Sequence, residues 1–223
     1  MVRSSSLIVA LAASAAFAQK PAITYKPPPP GEDDRPLITE IVAGSQGSDY
    51  AFKIEFNKEP WGEGCANRCA NATIFLDTDN NKATGLKLKD PKAAETGADL
   101  AVTIQGVKVY KETSSRPVLK VRVRQYAEDS TDIDQGRELG ELDPVQDSER
   151  VLAQGTSVFL LIDANVGDLP TASKARVIYH PPDSKALVGT IGGLAAGASR
   201  IELFKDGKLS NPVKKKKTDY EKL

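Results

Sequence analysis

The sequence predicts an all-β chain that folds as an antiparallel β-sandwich of about eight strands. Apolar and polar residues alternate with a period of two along several segments, which is the side-chain spacing of a half-buried strand. In residues 49–57, Tyr50, Phe52 and Ile54 fall on one face and Lys53 falls on the other. Short polar turns separate these segments and helical periodicity is almost absent, so two packed layers of strands are expected.

Eight segments have the strand pattern, and together they define one domain over residues 36–208. They are residues 37–44, 49–57, 72–79, 99–112, 117–127, 157–165, 174–181 and 200–207. Residues 128–150 are rich in Asp and Glu and predict a long polar excursion with room for one short helix. Residues 186–199 are apolar but rich in glycine and alanine, and the sequence assigns no element to them.

Both ends of the chain have a composition that differs from that of the domain. Arg3, the apolar run 7–13 and the small-x-small site 16–18 predict a secretory signal peptide over residues 1–18, and therefore a protein in the periplasm or outside the cell. No later apolar run is long enough to span a bilayer.

Prolines dominate the segment that follows the predicted signal peptide. Residues 19–35 include the run Pro27 to Pro30, whose rings favour an extended polyproline conformation, so an extended arm or spacer is expected. At the other end, residues 209–223 are rich in lysine and predict a flexible tail.

The charge balance excludes one class of partner. The chain has 30 Lys and Arg against 30 Asp and Glu, and this balance gives no reason to expect nucleic acid as a partner. Aromatic residues make up only 6% of the chain, which leaves little material for a large aromatic binding face. The sequence does not indicate an oligomeric state.

The two cysteines, Cys65 and Cys69, predict a disulfide. A nearby pair usually becomes oxidised in an exported protein. Zinc would need two further ligands, and His180 is the only histidine in the chain. The enclosed loop is short, so the expected stabilisation is about 2–3 kcal/mol at most.

The segment IFLDTDNNKATG, residues 74–85, is the candidate cation site. Asp77, Asp79 and Asn81, with Asn80 as a substitute for Asn81, present oxygen atoms from a short stretch at the end of a strand. Hard cations such as calcium prefer oxygen ligands. The loop is not an EF-hand, because its sixth and twelfth positions hold Lys82 and Leu88.

A second interpretation of the same loop needs no metal. Asp and Asn are common in turns because their side chains cap local backbone amides and tolerate left-handed conformations. Spacing alone leaves the capped turn and the cation site open.

The segments PLITEIVAG, YAFKIEF, ATIFLDTDNNKATG and GADLAVTI resemble exported bacterial β-sandwich domains related to family 9 carbohydrate-binding modules and DOMON domains. The shared pattern is D-x-D-x-x-x-x-T-G followed by G-x-D, here Asp77, Asp79, Thr84 and Gly85 and then residues 97–99. The resemblance covers roughly residues 36–111. It implies a jelly-roll-like sandwich and, in some relatives, the binding of sugar, haem or calcium.

The resemblance also suggests further site residues. Asp99 would approach the acidic loop from the neighbouring strand and add a carboxylate. Sugar-binding relatives stack saccharides on exposed aromatic rings, and Trp61 is the evident candidate for this role. Haem normally has Met or His axial ligands, and the chain offers only Met1, in the predicted signal peptide, and His180.

No arrangement of catalytic residues stands out. A single histidine leaves little room for a Ser-His-Asp triad, and His180 has the position of a strand-end residue. We therefore expect a non-enzymatic binding or structural protein with a calcium-stabilised loop. The alternatives are a carbohydrate-binding module for an envelope or extracellular polysaccharide and, with least support, a hydrolase.

Overall fold

A computed structural model describes residues 20–29, 34–46, 49–65, 68–88, 97–109, 117–128, 130–163 and 175–193. The predicted signal peptide at residues 1–18, the predicted strand at 200–207 and the predicted tail at 209–223 lie outside these residues. The described part of the chain has no helix that is long and apolar enough to cross a membrane.

Twelve strands account for most of the regular structure of the described residues. They are β1 (Ile23–Thr24), β2 (Ile38–Gln46), β3 (Asp49–Phe56), β4 (Asn71–Asp77), β5 (Leu100–Gly106), β6 (Leu119–Gln125), β7 (Arg137–Leu142), β8 (Val151–Gln154), β9 (Ser157–Asp163), β10 (Arg176–Tyr179), β11 (Leu187–Thr190) and β12 (Gly192–Gly193). Within the same described residues, two short 3₁₀ helices, Gly62–Cys65 and Ile133–Gln135, lie in the connections.

The strands form two six-stranded sheets. The first sheet has the order β1-β2-β3-β9-β8, with β12 added in parallel to β2, and the second has the order β11-β10-β4-β5-β6-β7. All other pairs are antiparallel. The all-β sandwich predicted from the alternation is confirmed, with more strands than the eight expected.

The main core lies between the inner faces of the two sheets. Tyr50, Phe52 and Ile54 of β3 are at most 2% exposed, on the face that the alternation predicted. They share one buried cluster with Ile74 and Leu76 of β4 in the other sheet. Burial of these apolar side chains from both layers is the main force that holds the sheets together.

The acidic stretch 128–150 contains more structure than the sequence indicated. Asp132 caps the 3₁₀ helix at Ile133–Gln135 and forms a capping box with Gln135. The chain then enters β7, which pairs with β6 in antiparallel register. This strand was not predicted because most of its side chains are charged or only half buried, as is usual at a sheet edge.

The predicted proline-rich arm is docked onto the sandwich along part of its length. Ile23 and Thr24 pair with Ile41 and Glu40 of β2. Ile23 is 4% exposed and belongs to the main core. Burial of this one apolar side chain explains why the segment packs on the sandwich. The prolines that follow have no amide hydrogen and cannot extend the pairing with β2.

A substitution at Gly106 would test how closely the segment around Pro60 packs on the end of β5. A methyl group at Gly106 would overlap the carbonyl oxygen of Pro60 and lie 2.9 Å from Cβ of Cys69. We expect Gly106→Ala to lower the free energy of unfolding by about 1–3 kcal/mol through overpacking, measured by urea denaturation. Gly140→Ala is the matched control, because no described atom beyond Gly140 and its two chain neighbours lies within 4 Å of that methyl position. Equal stability of the two variants would contradict this packing.

Candidate metal centre

Strand pairing brings two of the predicted acidic residues to the same end of the second sheet. Asp77 is the last residue of β4, and Asp99 immediately precedes β5. The strands are antiparallel, with Leu76 opposite Leu100, and the amide of Asp99 donates to the carbonyl of Leu76 at 2.8 Å. The two carboxylates therefore start from neighbouring backbone positions.

Asp79 completes a compact group of three carboxylates. One oxygen each from Asp77, Asp79 and Asp99 lies within 4.8 Å of the other two. Asp77 is fully buried and Asp99 is 6% exposed, whereas Asp79 is half buried. This trio, which we call the aspartate trio, could hold a metal ion through hard oxygen ligands.

Asp99 fixes the start of the loop through its side chain. Its Oδ2 accepts hydrogen bonds from the amide and from the hydroxyl of Thr78, both at 2.7 Å, and from the amide of Asp79 at 3.4 Å. Its position, which the family resemblance suggested, is therefore beside the acidic loop.

The rest of the loop is a network of side chains that cap backbone amides. The Asn81 amide donates to Asp77 Oδ1 at 3.1 Å and to Asp79 Oδ1 at 2.8 Å. The Thr84 hydroxyl donates to Asp79 Oδ2 at 2.8 Å. Asn81 Oδ1 accepts from the Ala83 amide at 3.0 Å, so this predicted ligand caps a turn. Asn80 has a left-handed φ of +55°, as Asn tolerates in turns.

Arg176 is the residue of this site that sequence reasoning missed. It is the first residue of β10 and the cross-strand partner of Asp77. Its Nε donates to Asp77 Oδ2 at 2.8 Å, and its Nη2 donates to the same oxygen. The pair is buried, with side-chain exposures of 11% for Arg176 and 0% for Asp77.

Burial dominates the electrostatics of the trio. It raises the pKa of Asp77 above the ordinary value, and the hydrogen bond from Arg176 offsets part of that rise. Burial likewise raises the pKa of Asp99, against the hydrogen bonds from Thr78. Burial together with the charges of Asp99 and Asp77 raises the pKa of Tyr50 to about 12, so the field of these carboxylates extends into the main core.

A second, smaller apolar cluster holds the loop against the sheet. Phe75, Ala101 and Ile178 on the outer face of the sheet pack with Leu86 and Ala98 from the segments that cross over it. The Leu86 amide donates to the Ala98 carbonyl at 2.7 Å.

Gly85 makes that approach possible. Its φ is +67°, and a side chain there would overlap the Ala98 carbonyl. The loop that carries the trio is thus closed by apolar contacts as well as by polar ones.

Trp61 does not offer the exposed ring that a stacking platform requires. It is 5% exposed, belongs to the main core, and contacts Phe56 edge to face with ring centroids 6.4 Å apart. Trp61 was predicted as a ligand-binding residue with an exposed ring. The expected exposure is corrected, because the ring packs in the main core. The Pro60 carbonyl accepts from the Ala70 amide beside the start of β4, so Trp61 and the trio lie towards opposite ends of that strand.

The cysteines lie where a disulfide is expected. Cys65 and Cys69 form a disulfide whose Cα atoms are 4.7 Å apart, within the range of such bridges. The bridge closes the loop between the 3₁₀ helix at Gly62–Cys65 and β4.

Comparison of the chain with protein-family models, with curated proteins and with solved structures finds no match. The resemblance to family 9 carbohydrate-binding modules and DOMON domains therefore stays a prediction that depends on the short motif alone.

The buried ion pair gives a test of how the trio is stabilised. Arg176→Met would leave the carboxylate of Asp77 buried without its cation, and we expect the metal-free protein to lose about 3–5 kcal/mol of unfolding free energy. Arg122→Met is the matched control, because Arg122 pairs with Glu141 at the surface, where ion pairs contribute little. Urea denaturation with chelator measures both, and similar small losses would contradict the importance of the buried pair.

The raised pKa values of Asp77 and Asp99 predict the sign of a pH effect. Between the ordinary carboxyl pKa and the raised value, the folded state binds more protons than the unfolded state, so these groups add stability as the pH falls through the folded value. The free energy of unfolding of the chelated wild type, minus that of Asp99→Asn, should therefore increase on acidification. A pH series of urea denaturation curves measures it, and a difference that is constant or decreases would disprove the assignment.

Proposed function

We propose that the protein is an exported, non-catalytic β-sandwich that acts in binding or structure, with calcium stabilising the loop 77–85. The convergence of three carboxylates from Asp77, Asp79 and Asp99 within 4.8 Å is the observation that carries this proposal. The ion would join the end of β4, the start of β5 and the loop between them.

The local charge favours a divalent cation. Three carboxylates and the guanidinium of Arg176 leave two negative charges in a site where Asp77 and Asp99 are shielded from water. Uncompensated charge in such surroundings is unfavourable, and a divalent ion would neutralise it. Arg176 occupies Asp77 Oδ2, so the ion would use the remaining carboxylate oxygens.

Calcium suits the ligand set better than its competitors do. The trio supplies only oxygen ligands, and calcium accepts six to eight of them in flexible geometry at about 2.3–2.6 Å, whereas magnesium requires a near-ideal octahedron. Zinc and other borderline metals favour nitrogen and sulfur, and among the described residues the acidic cluster consists of aspartates alone. Backbone carbonyls of the loop and water would complete the coordination.

The mechanism that we propose is conformational. An ion bound to the trio would reduce the freedom of the loop and keep the neighbouring surface rigid, so that a partner of the envelope or the extracellular space meets a preformed face. The Cys65–Cys69 disulfide supports export, because such bridges persist in oxidising compartments. The signal-peptide pattern of residues 1–18 supports it independently.

Carbohydrate recognition, the alternative that the sequence suggested, depended on Trp61. Its ring is buried in the core, and stacking on a saccharide requires an open ring face. We therefore propose no polysaccharide site at this residue.

Calcium should raise the melting temperature of the chelated protein. Ligand at a hundredfold excess over Kd stabilises the fold by about 2.7 kcal/mol, which corresponds to a rise of about 5–11 °C for a chain of this size. Asp79→Asn should abolish most of the rise, because it removes one negative charge without breaking the ion pair of Asp77.

Asp134→Asn is the matched control, since that aspartate is exposed, pairs with Arg124 and does not belong to the trio; it should keep the full rise. Native mass spectrometry with and without chelator would count the bound ions directly. Identical melting curves with calcium and with chelator, together with the apo mass in both samples, would remove metal from the proposal.

A further inference from the structure

A small cleft opens between the two sheets, beside β7 and the start of β8. Four apolar residues, contributed by both sheets, form its walls. They are Val123, Leu139, Leu142 and Ile162. Two charged residues line the same cleft: Arg150, which immediately precedes β8, and Asp163, the last residue of β9. The cleft therefore combines an apolar wall with one positive and one negative group.

The cleft exists because β8 is shorter than its neighbour β9. β8 begins at Val151, opposite Leu160, so the last residues of β9 extend beyond it. One further bond joins the two segments, from the amide of Leu161 to the carbonyl of Arg150 at 2.8 Å. Among the described residues, no strand continues along Ile162 and Asp163 on this side.

A β-bulge in β7 shapes the other side of the cleft. Val123 pairs with Gly140, whereas Arg124 pairs with Glu138, so Leu139 is an extra residue without a cross-strand partner in β6. Bulges are common at sheet edges and beside binding sites, where they redirect a side chain. Leu139 is half buried and packs against the main core. Beside it, a methyl group on Gly140 would have no described atom within 4 Å beyond the glycine and its two chain neighbours.

The size of the cleft limits the apolar group that it can accept. It offers about 50 Å³ to the centres of water-sized groups. One such group needs about 10–15 Å³, so the cleft has room for about three to five of them. A branched aliphatic group of the size of a valine or leucine side chain fits this space, whereas a long acyl chain does not.

The charged residues define the polar part of a ligand. Arg150 is half buried, and within the described part of the chain its guanidinium forms no hydrogen bond or ion pair. A guanidinium binds a carboxylate through two parallel hydrogen bonds, which are among the strongest polar contacts in proteins. The carboxylate of Asp163 is an acceptor only, and its complement is an ammonium group.

We propose that this cleft binds a free aliphatic α-amino acid of the size of valine or leucine. Its carboxylate would pair with Arg150, its ammonium group with Asp163, and its side chain would contact the apolar walls. A fatty acid would bring a second negative charge to Asp163, and a sugar would leave the apolar walls uncovered. The aspartate trio takes no part, so the site does not depend on calcium.

Titration of the whole ¹⁵N-labelled chain with L-valine, in the presence of chelator, tests the proposal. We expect amide resonances of Leu139, Gly140 and Ile162 to shift and to saturate, because these residues line the cleft. Two analogues each lack one charge: 3-methylbutanoate has no ammonium group, and isobutylamine has no carboxylate. Each should bind at least about tenfold more weakly than valine, because it loses a charge-assisted contact.

Substitutions assign each charge to its residue. Arg150→Met should weaken the binding of valine and of 3-methylbutanoate at least about tenfold, without weakening that of isobutylamine. Asp163→Asn should weaken the binding of valine and of isobutylamine, but not that of 3-methylbutanoate. Arg122→Met is the matched control, because Arg122 pairs with Glu141 and does not line the cleft. Gly140→Val should reduce valine binding by filling the cleft, with no change of charge.

The outcomes separate the ligand class from the site. The absence of saturable shifts at Leu139, Gly140 and Ile162 up to the solubility limit of valine would overturn the proposal. Equal affinities for valine and 3-methylbutanoate would overturn the amino acid as ligand, since Asp163 would then take no part. Valine binding that Arg150→Met leaves intact would overturn the cleft as the site. Thermal unfolding of each variant shows that a loss of binding is not a loss of structure.

Discussion

The burial of Asp77 beside Arg176 is the constraint on which the candidate site depends. A carboxylate with 0% exposure requires a cation and hydrogen bonds, because an isolated charge away from water is strongly unfavourable. The antiparallel register of β4 and β10 supplies the cation, and the amide of Asn81 supplies a hydrogen bond. This requirement constrains the path of the loop after β4. The loop has to turn back so that the amide of Asn81 lies within hydrogen-bonding distance of the Asp77 carboxylate.

The capped turn and the cation site are compatible interpretations of the same loop. An ionised carboxylate has two oxygens and about four lone-pair positions, and each carboxylate of the trio gives only some of these to the backbone amides. The amides preorganise the carboxylates, which lowers the entropy that an ion would have to remove on binding. The three carboxylates carry more negative charge than Arg176 offsets, so the loop that caps its own amides could also hold a cation.

The sequence predicted most of the fold because the inward faces of the strands carry its clearest signal. The alternating residues Tyr50, Phe52 and Ile54 are all buried. The apolar run of β9 is buried as well, because this strand lies between β3 and β8 in the sheet. Arg176 could not be predicted as a partner of Asp77, because they are 99 residues apart and only the register joins them. The burial of Trp61 could not be predicted either, because the position of an aromatic residue in a loop pattern gives no measure of its exposure.

The arm was predicted as a spacer because prolines dominate its composition. Its short apolar part, β1, nevertheless pairs with β2 and covers an edge of the first sheet. β1 and β12 pair with different parts of the same side of β2, so this sheet edge is covered rather than open to other chains. In the second sheet, β7 is an edge strand. It bears Arg137, Glu138 and Glu141, and their charges discourage the addition of another strand at that edge. The first sheet thus protects one edge with two short strands of its own chain, and the second sheet protects the edge at β7 with charge.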